Sequence, residues 1–270
     1  MPHAQELPVR AFVAGSTGYV GRAVVQHLQK RGVPTTAHVR PDSTRLEEWA
    51  VRFGSPGVIM DTTEWSEEAM AATIAKMEPT HVFALLGTSR KRARHSASLA
   101  ERHDPYETVD YGLTVMLLRA CVSSGMRPRF VYLSSLGADL NARNAYLSVR
   151  GRVERELRDS GLDYVVFRPS FISGPDREER RLAERLGATV TDAVVRLMEF
   201  LRLGRFVARL ESMDADMLSA AIVEISLDAS SANMVFERDQ LPRRRKPSRG
   251  LPPSRNEHYS NGASAEMPPR

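Results

Sequence analysis

The sequence contains a single cysteine, Cys121, so no disulfide can form within the chain. It has no uncharged apolar run of about 18 residues, the length that a membrane-spanning helix needs. The first residues, MPHAQELPVR, lack the basic start and apolar stretch of a secretory signal. Its seven histidines show no metal-ligand spacing, so we predict no metal site. These absences favour a reducing compartment, and the expected location is cytoplasmic.

The charge of the chain is concentrated at one end. Of 38 basic and 33 acidic residues, seven basic but only two acidic ones lie in 243–270. The other 242 residues therefore carry no net charge, and the formal charge of +5 describes the tail alone. The fold therefore has no excess positive charge that would attract nucleic acid, and we expect no nucleic-acid partner. The Pro-, Ser- and Arg-rich segment 241–270 is predicted to be a disordered basic tail.

Apolar runs of strand length alternate with amphipathic helical patterns over most of the chain. Predicted strands cover 9–14, 35–39, 57–60, 81–86, 129–133, 163–167 and 231–236. Predicted helices follow the first strand and cover 67–77, 109–124, 146–160, 178–186, 191–203 and 214–225. This order is typical of an α/β protein with a doubly wound parallel sheet, the Rossmann fold, in which ligands bind at the carboxyl ends of the strands.

We expect one Rossmann domain over 1–175, followed by a small helical cap. The segment 176–240 is predicted to hold a helical lid together with the closing helix and strand of the same domain. Residues 191–210 combine apolar positions with four arginines, a pattern that fits a lid packed on the core or a helix on a membrane surface. The lid helix or the tail is also where a protein partner would bind.

A glycine-rich loop follows the first predicted strand. Gly15 suits a tight turn, Gly18 lets the backbone approach a pyrophosphate, and Gly21 allows close packing of helix on strand. The helix that begins here would direct free N–H groups at the phosphates. The predicted dinucleotide contacts are Gly15, Thr17, Gly18, Tyr19, Val20 and Gly21. The alternative is a structural turn without a ligand.

The end of the second strand indicates which dinucleotide binds. An acidic residue there would bind the ribose hydroxyls of NAD and repel a 2′-phosphate. The sequence instead has Arg40, and no acid precedes Asp42. A guanidinium can stack on adenine and bind the 2′-phosphate of NADP, with Arg22 as a second candidate ligand. The pattern favours NADP(H), with NAD(H) as the alternative, unless Arg40 is only a solvated surface residue.

Several segments occur in an order typical of one family. They are GSTGYVG (15–21), LLGTSR (85–90), VDYGLTVMLLRAC (109–121), VYLSSLGAD (131–139) and YLSVRGRVERELRDSGLDYVVFRPS (146–170). Together they resemble the atypical short-chain dehydrogenase/reductases, a group of the NAD(P)-binding Rossmann superfamily, and particularly the Tat-interacting-protein-like oxidoreductases. The similarity covers residues 9–172 well and 206–240 more loosely.

The resemblance implies bound NADP(H) and a catalytic set of serine, tyrosine and lysine. On that basis Ser135 is the catalytic serine, with Ser134 as its neighbouring alternative, and Tyr146 is the tyrosine. Arg150 occupies the position of the lysine. The resemblance implies further cofactor contacts at Asp61, Gly87, Thr88, Pro169 and Phe171. Arg90, the basic residue of the GTSR turn, is a further candidate contact.

These catalytic residue types make chemical sense at this spacing. Tyr146 and Arg150 are four apart on a predicted helix, so they share one face. A phenol is a poor acid–base at neutral pH unless a fixed cation stabilises its phenolate. Arginine keeps the charge but cannot reproduce the compact geometry of an ammonium group. Replacing Arg150 with lysine is therefore expected to keep or raise turnover.

The predicted function is hydride transfer to or from a small carbonyl or alcohol substrate by an NADP(H)-dependent oxidoreductase. The altered lysine position leaves a second hypothesis, a non-catalytic NADP(H)-binding module that senses redox state or binds a protein. A third, epimerase chemistry on a nucleotide sugar, is less favoured because the region after Pro175 is short for a sugar-nucleotide domain. The basic segment 90–95 would be an electropositive lip of the site or a solvated loop.

Overall fold

The structure, a computed structural model, describes residues 8–87, 106–170, 172–173 and 213–241. Its strands are β1 Ala11–Ala14, β2 Thr35–His38, β3 Val58–Asp61, β4 His81–Ala84, β5 Arg129–Leu133, β6 Tyr164–Arg168, β7 Ile172–Ser173, β8 Met213–Asp214 and β9 Met234–Glu237. Its α-helices are α1 Tyr19–Lys30, α2 Leu46–Phe53, α3 Glu67–Met77, α4 Thr114–Ser123, α5 Ala145–Asp159 and α6 Ala215–Leu227. A π-helix, Tyr106–Leu113, leads directly into α4.

Seven strands form one parallel sheet in the order β3-β2-β1-β4-β5-β6-β9. The chain builds outward from β1 in one direction as far as β3, and then returns to the other side of β1 with β4. The carboxyl ends of β1 and β4 therefore flank the point at which the strand order reverses, where doubly wound sheets bind their ligands. A separate short parallel pair joins β7 to β8.

Helices cover both faces of the sheet. Because alternate strand residues point to opposite faces, Val13 packs in the layer with α1, α2 and α6, and Phe12 packs in the layer with α3, α4 and α5. Helices α1 and α6 pack against each other, and the Ser219 hydroxyl donates to the Val20 carbonyl between them at 3.2 Å. Both faces are apolar, as expected for a buried parallel sheet.

This architecture confirms the predicted doubly wound α/β fold. The bounds of α3 and β5 are those expected from the sequence, whereas α2 was not predicted. The single helix expected over 109–124 is wrong over 109–113, because the chain there forms the wider π-helix before α4 begins. The predicted cap helices at 178–186 and 191–203 and the tail from 242 lie outside the described residues. Leu241, assigned to the tail, is instead buried against the core.

Within the described ranges, no helix is long and apolar enough to cross a membrane. In the same ranges, no group of three or more His, Cys, Asp or Glu side chains is arranged to hold a metal ion. Cys121 lies on the buried face of α4, in the core, and burial raises the pKa of its thiol. The thiolate is therefore disfavoured, and this cysteine acts as a packing residue.

Candidate functional site

The glycine loop connects β1 to α1 at the centre of the sheet. Gly15 has φ +81°, and a Cβ placed on it would lie 2.5 Å from the carbonyl oxygen of Leu85. A Cβ on Gly21 would overlap the Gly15 carbonyl oxygen. The Gly18 N–H donates to that same oxygen at 3.0 Å. The loop can therefore keep this compact shape only with glycine at 15 and 21.

The loop leaves the start of α1 open to an anion. Gly18 is the N-cap residue, so no side chain caps the helix, and its first turn contains no acidic residue. Gly18 is exposed, Thr17 and Tyr19 are half-buried, and the Val20 side chain lies in the core. Any contact of Val20 with a ligand would therefore involve its backbone. A helix N-terminus of this kind at the reversal point fits a dinucleotide pyrophosphate.

A buried polar chain supports the end of β2 beside the loop. The Ser16 hydroxyl donates to the His38 carbonyl at 2.6 Å, and Nε2 of His38 lies 2.8 Å from the Thr63 carbonyl oxygen. The His38 ring meets the Trp65 ring edge to face, with centroids 4.8 Å apart. Burial lowers the pKa of His38, although the Thr63 bond and the Asp61 charge oppose the shift. His38 is thus a neutral donor that fixes the loop after β3.

Asp61 ends β3, and Arg40 follows the end of the neighbouring strand β2, so both lie at the same edge of the sheet. Half of the Arg40 side chain is exposed, and its Nη1 lies 3.6 Å from the Asp42 carboxylate. Asp61 is more enclosed, and its two carboxylate oxygens accept from the backbone N–H of Thr63 at 3.2 Å and its hydroxyl at 2.9 Å. The predicted adenosine contacts are therefore brought to one edge, Arg40 as an exposed cation and Asp61 as a residue that shapes the loop.

The guanidinium of Arg150 is fixed at the carboxyl ends of β4 and β5. Its Nη1 donates to the Tyr132 hydroxyl at 3.1 Å and to the Leu133 carbonyl at 2.8 Å. Its Nη2 lies 3.4 Å from the Leu86 carbonyl and 2.5 Å from Oδ1 of Asp110. Only 5% of the Arg150 side chain is exposed. The arginine is thus part of the interior beside the predicted site.

The environment of Arg150 keeps it charged. Burial alone would lower its pKa, but the charges of Tyr132, Tyr146 and Asp110 and the hydrogen bond to Tyr132 outweigh burial and raise it. Its guanidinium carbon lies 5.0 Å from the centroid of the Tyr146 ring. In the described part of the chain, the Arg150 Nε–H has no hydrogen-bond partner although it is buried. One donor of the buried guanidinium is therefore left unsatisfied by the described residues.

Gly87 lies directly over this ion pair. A Cβ on Gly87 would be 3.0 Å from Nη2 of Arg150 and 3.6 Å from Oδ1 of Asp110. The glycine is exposed, so it separates the buried pair from the site above. The structure therefore brings together the sequence-predicted residues Gly87, Tyr146 and Arg150, at the carboxyl ends of the strands.

The two candidate serines have different surroundings. Ser134 is buried, and its hydroxyl donates to Glu154 at 2.6 Å. Ser135 is half-buried, and its hydroxyl makes only a long contact of 3.4 Å to the Leu136 carbonyl. Pro169 is buried, and its carbonyl accepts from the Leu136 N–H at 2.9 Å. Of the two serines, Ser135 has the hydroxyl that is available to a ligand.

The loop that carries Ser135 packs on the start of α5. The Asp139 N–H donates to the Leu147 carbonyl at 3.3 Å, and a Cβ on Gly151 would lie 2.5 Å from the Asp139 carbonyl carbon. Tyr146, one residue before Leu147, is half-buried, and its ring lies 5.4 Å from that of Tyr106. In the described residues, the Tyr146 hydroxyl makes no hydrogen bond.

Three predicted contacts, Thr88, Arg90 and Phe171, lie outside the described residues. Two side chains that the sequence did not single out belong to the site region, Asp110 beneath Arg150 and Glu154 beneath Ser134. Each is an acid on the buried face of a helix, four residues from another member of that face, Thr114 and Arg150 respectively. An acidic residue at helical spacing among mostly apolar, buried positions is the signal that could have identified them.

Comparison with known families assigns the chain. The family model described as NAD(P)H-binding matches residues 15–197, more than half of the sequence, and begins at the first glycine of the loop. The chain belongs to the NAD(P)H-binding family. The glycine loop and the uncapped start of α1 are consistent with such a ligand. The resemblance to the atypical short-chain dehydrogenase/reductases is confirmed at the level of the NAD(P)-binding Rossmann superfamily.

Curated relatives share about a quarter of their residues with the chain. The Protein FMP52, mitochondrial, of Coccidioides immitis is 29% identical over 192 residues, 67% of this chain and 72% of the relative. The Protein fmp52, mitochondrial, of Aspergillus niger is 26% identical over 220 residues, covering 80% and 86%. These names give no substrate or reaction. They do overturn the expected cytoplasmic location, which is wrong because it was inferred only from the absence of other signals.

Solved structures show the same fold at low sequence identity. The oxidoreductase ylbE from Lactococcus lactis has a TM-score of 0.57 and 16% identity, covering 84% of this chain and 89% of that one. AtPrR2 with NADP+ and (+)pinoresinol has a TM-score of 0.60 and 12% identity, covering 85% and 69%. A UDP-N-acetylglucosamine 4-epimerase from Bacillus cereus has a TM-score of 0.53 and 15% identity, covering 84% and 76%. At these identities the likeness concerns the fold alone.

Proposed function

We propose that the protein is an NADP(H)-dependent oxidoreductase of the atypical short-chain dehydrogenase type, acting on a small carbonyl or alcohol. The observation that carries the proposal is the position of Arg150. Its charged guanidinium is held at the carboxyl ends of β4 and β5, 5.0 Å from the Tyr146 ring and beneath Gly87. A tyrosine with a fixed cation at the ligand edge of a Rossmann sheet is suited to proton transfer.

Two groups of residues would bind the two halves of the dinucleotide. The first turn of α1 and the glycine loop would bind the pyrophosphate through backbone N–H groups. Arg40 would bind the 2′-phosphate of NADP, since its surface pair with Asp42 is worth only about 0–1 kcal/mol and is readily exchanged. Asp61 would line the adenine end. Gly87, with Thr88, Arg90, Pro169 and Phe171, would enclose the nicotinamide end.

The side chains at the nicotinamide end have separate roles in the proposed reaction. When bound, NADPH supplies the hydride. The Ser135 hydroxyl would donate to the substrate carbonyl oxygen and orient it. Tyr146 would protonate that oxygen as negative charge develops on it, and Arg150 would stabilise the resulting phenolate. Ser134 is excluded from this role in the proposal, because its hydroxyl is already bonded to buried Glu154.

The remaining parts of the chain fit this scheme as proposals. Residues 1–175 with the closing elements of 213–240 would form the binding domain, and the segment 176–212 would cover the substrate and determine its choice. The lid or the tail 241–270 would be the place for a protein partner. The mitochondrial names of the curated relatives support the same location for this chain, which fractionation of the native cells with a mitochondrial marker would test.

The first experiment is calorimetric titration of the full chain with NADPH and with NADH. We expect NADPH to bind at least about tenfold more tightly, a difference of about 1.4 kcal/mol, and Arg40→Ala to remove that difference. A preference for NADH would overturn the role of Arg40. If neither nucleotide bound, the proposed function would be wrong.

The second experiment tests catalysis with NADPH and a panel of small aldehydes and ketones. We expect Tyr146→Phe to abolish NADPH oxidation while leaving its binding within about twofold, since only the proton donor is lost. Tyr164→Phe is the matched control, because Tyr164 begins β6 at the opposite edge of the sheet. Unchanged turnover in Tyr146→Phe would contradict the mechanism. Binding of NADPH by the wild type without turnover of any compound would favour the non-catalytic module.

A further inference from the structure

The acidic partner of Arg150 is set apart by its burial. Asp110 is fully buried in the π-helix, although it carries a carboxylate. Its Oδ1 lies 2.5 Å from Nη2 of Arg150, which is itself almost fully buried. Two charges are kept inside a protein only when each compensates the other, because removal from water is costly for an isolated ion. Asp110 and Arg150 therefore form one unit.

The other partners of the guanidinium are neutral. Its remaining recorded acceptors are the Tyr132 hydroxyl and the carbonyls of Leu133 and Leu86. These three groups occupy the side of the guanidinium that faces β4 and β5. Asp110 approaches from the π-helix, on a different element. Without its charge, neutral acceptors alone would have to hold a long, flexible cation in place.

The place of the guanidinium matters for what lies next to it. A group no larger than a Cβ at Gly87 would already come within 3.0 Å of Nη2, so the space above the pair is closely limited. On another side the Tyr146 ring lies 5.0 Å from the guanidinium carbon. A shift of Arg150 would therefore change its contacts with both the backbone at Gly87 and the Tyr146 ring.

We infer that Asp110 is a positioning residue of the candidate site, which fixes the Arg150 guanidinium against Tyr146 and Gly87 at the nicotinamide end. The inference rests on the proposed function, because it presumes that this end binds the cofactor. Asp110 touches no substrate or cofactor in this scheme and acts through Arg150. The inference predicts that loss of Asp110 weakens binding of the nicotinamide half of the dinucleotide and leaves binding of the adenosine half unchanged.

Comparing the affinity for the whole cofactor with the affinity for its adenosine half distinguishes this role from a general loss of structure, which would weaken both. The probes are NADPH and adenosine 2′,5′-bisphosphate, titrated into the full chain. In Asp110→Asn we expect NADPH to bind about tenfold more weakly, the scale set by one charged hydrogen bond, and adenosine 2′,5′-bisphosphate to bind within about twofold of wild type. Equal weakening of both, or no weakening of NADPH, would overturn the inference.

Glu107→Gln is the matched control on the same π-helix. Glu107 also pairs with an α5 arginine, Arg152, at 2.5 Å, but this pair is exposed. We expect the control to bind both probes as the wild type does. If Asp110→Asn does not fold, Asp110→Ser replaces it, because the smaller side chain leaves room for water at the guanidinium. We expect the same weaker binding of NADPH and the same unchanged binding of adenosine 2′,5′-bisphosphate. Failure of the wild type to bind either probe would instead refute the proposed function.

Discussion

Glu154 and Arg168 join the two elements that flank the candidate serine. Nε of Arg168 donates to Oε1 of Glu154 at 2.9 Å, and Nη2 donates to Oε2 at 2.6 Å, so the pair is bidentate. Glu154 belongs to α5 and is buried, whereas Arg168 ends β6. The Glu154 hydrogen bonds raise the pKa of Arg168. The same carboxylate accepts from Ser134, so one acid on α5 connects the ends of two strands, β5 and β6.

Replacing Glu154 with glutamine should therefore destabilise the fold. The amide removes the charge and keeps only one acceptor oxygen, so its NH2 group must face donors, either those of Arg168 and Ser134 or those of Arg168 and Arg158. Because Arg168 keeps some exposure and a contact with Glu237 at 3.5 Å, we expect a loss of about 2–3 kcal/mol in the free energy of unfolding, below the range for a fully buried pair. Urea denaturation followed by circular dichroism measures it.

Glu156→Gln serves as the comparison on the same helix. Among the described residues, Glu156 accepts one hydrogen bond, from the Tyr111 hydroxyl at 3.1 Å, and the amide of the glutamine can still accept it. We expect a loss of at most about 1 kcal/mol. Similar losses in the two variants would show that the Glu154 pair has no special weight.

The glycine loop gives a prediction that concerns ligand binding. In Gly21→Ala the new Cβ would overlap the Gly15 carbonyl oxygen, so the loop and the start of α1 must separate. We expect NADPH affinity to fall by at least about tenfold, because the backbone donors for the pyrophosphate are displaced. Isothermal calorimetry with NADPH measures the change.

Gly32, just beyond the other end of α1, provides the control for this variant. It also has a left-handed backbone, φ +69°, but a Cβ there would meet nothing within 4 Å. Gly32→Ala should cost about 1 kcal/mol of stability through backbone strain and leave NADPH affinity unchanged. Equal affinities for NADPH in Gly21→Ala and Gly32→Ala would contradict a binding role for the loop.

The sheet could be predicted from the sequence because buried parallel strands are continuous apolar runs. The run around Phe12 and that around Val131 are examples, each between clear breaks. Helix α2 could not be predicted in the same way. It buries only Trp49 and Phe53, a single i, i+4 pair, which is too little to produce a helical period.

The site was predicted as far as local motifs reach. The glycine loop is one contiguous segment, and the spacing of Tyr146 and Arg150 fixes their common face. Asp110 was not assigned, because its partner lies 40 residues away and only the packing of the π-helix against α5 brings the two together. The same packing explains why the residue at 150 is arginine, which reaches two strand ends and a carboxylate at once.

These contacts change the expectation for Arg150→Lys. An ammonium group has three donors and no planar fork, so it cannot reach the Leu133 carbonyl, the Leu86 carbonyl and Asp110 together. We now expect the variant to lose about 1.5–3 kcal/mol of stability and to lower NADPH turnover. Arg152→Lys, a partly exposed arginine on the same helix, should lose less than about 1 kcal/mol. Thermal denaturation at matched pH compares them, and equal stability of Arg150→Lys and wild type would contradict the argument.

His81 should make the stability of the fold depend on pH. It lies at the start of β4, where Nε2 is 3.0 Å from the Ser226 carbonyl oxygen at the end of α6. Burial, with a smaller effect of the Arg129 charge, lowers the pKa of His81 to about 4, although the Ser226 bond opposes the shift. The folded protein therefore keeps His81 neutral over a range in which the unfolded chain already binds a proton.

Between about pH 6.5 and pH 4 the unfolded state gains that proton first, so acidification lowers the free energy of unfolding. The loss from His81 should reach about 3 kcal/mol by pH 4 and be absent above pH 7. In His81→Gln, whose amide can still donate to Ser226 but does not titrate, this part of the loss should disappear. The stability gap between wild type and variant, measured by urea denaturation at pH 8, 6 and 4.5, should narrow as the pH falls. Parallel curves of unfolding free energy against pH for the two proteins would show that His81 does not cause the loss at low pH. The loss would then be assigned to His38, whose pKa is also lowered by burial.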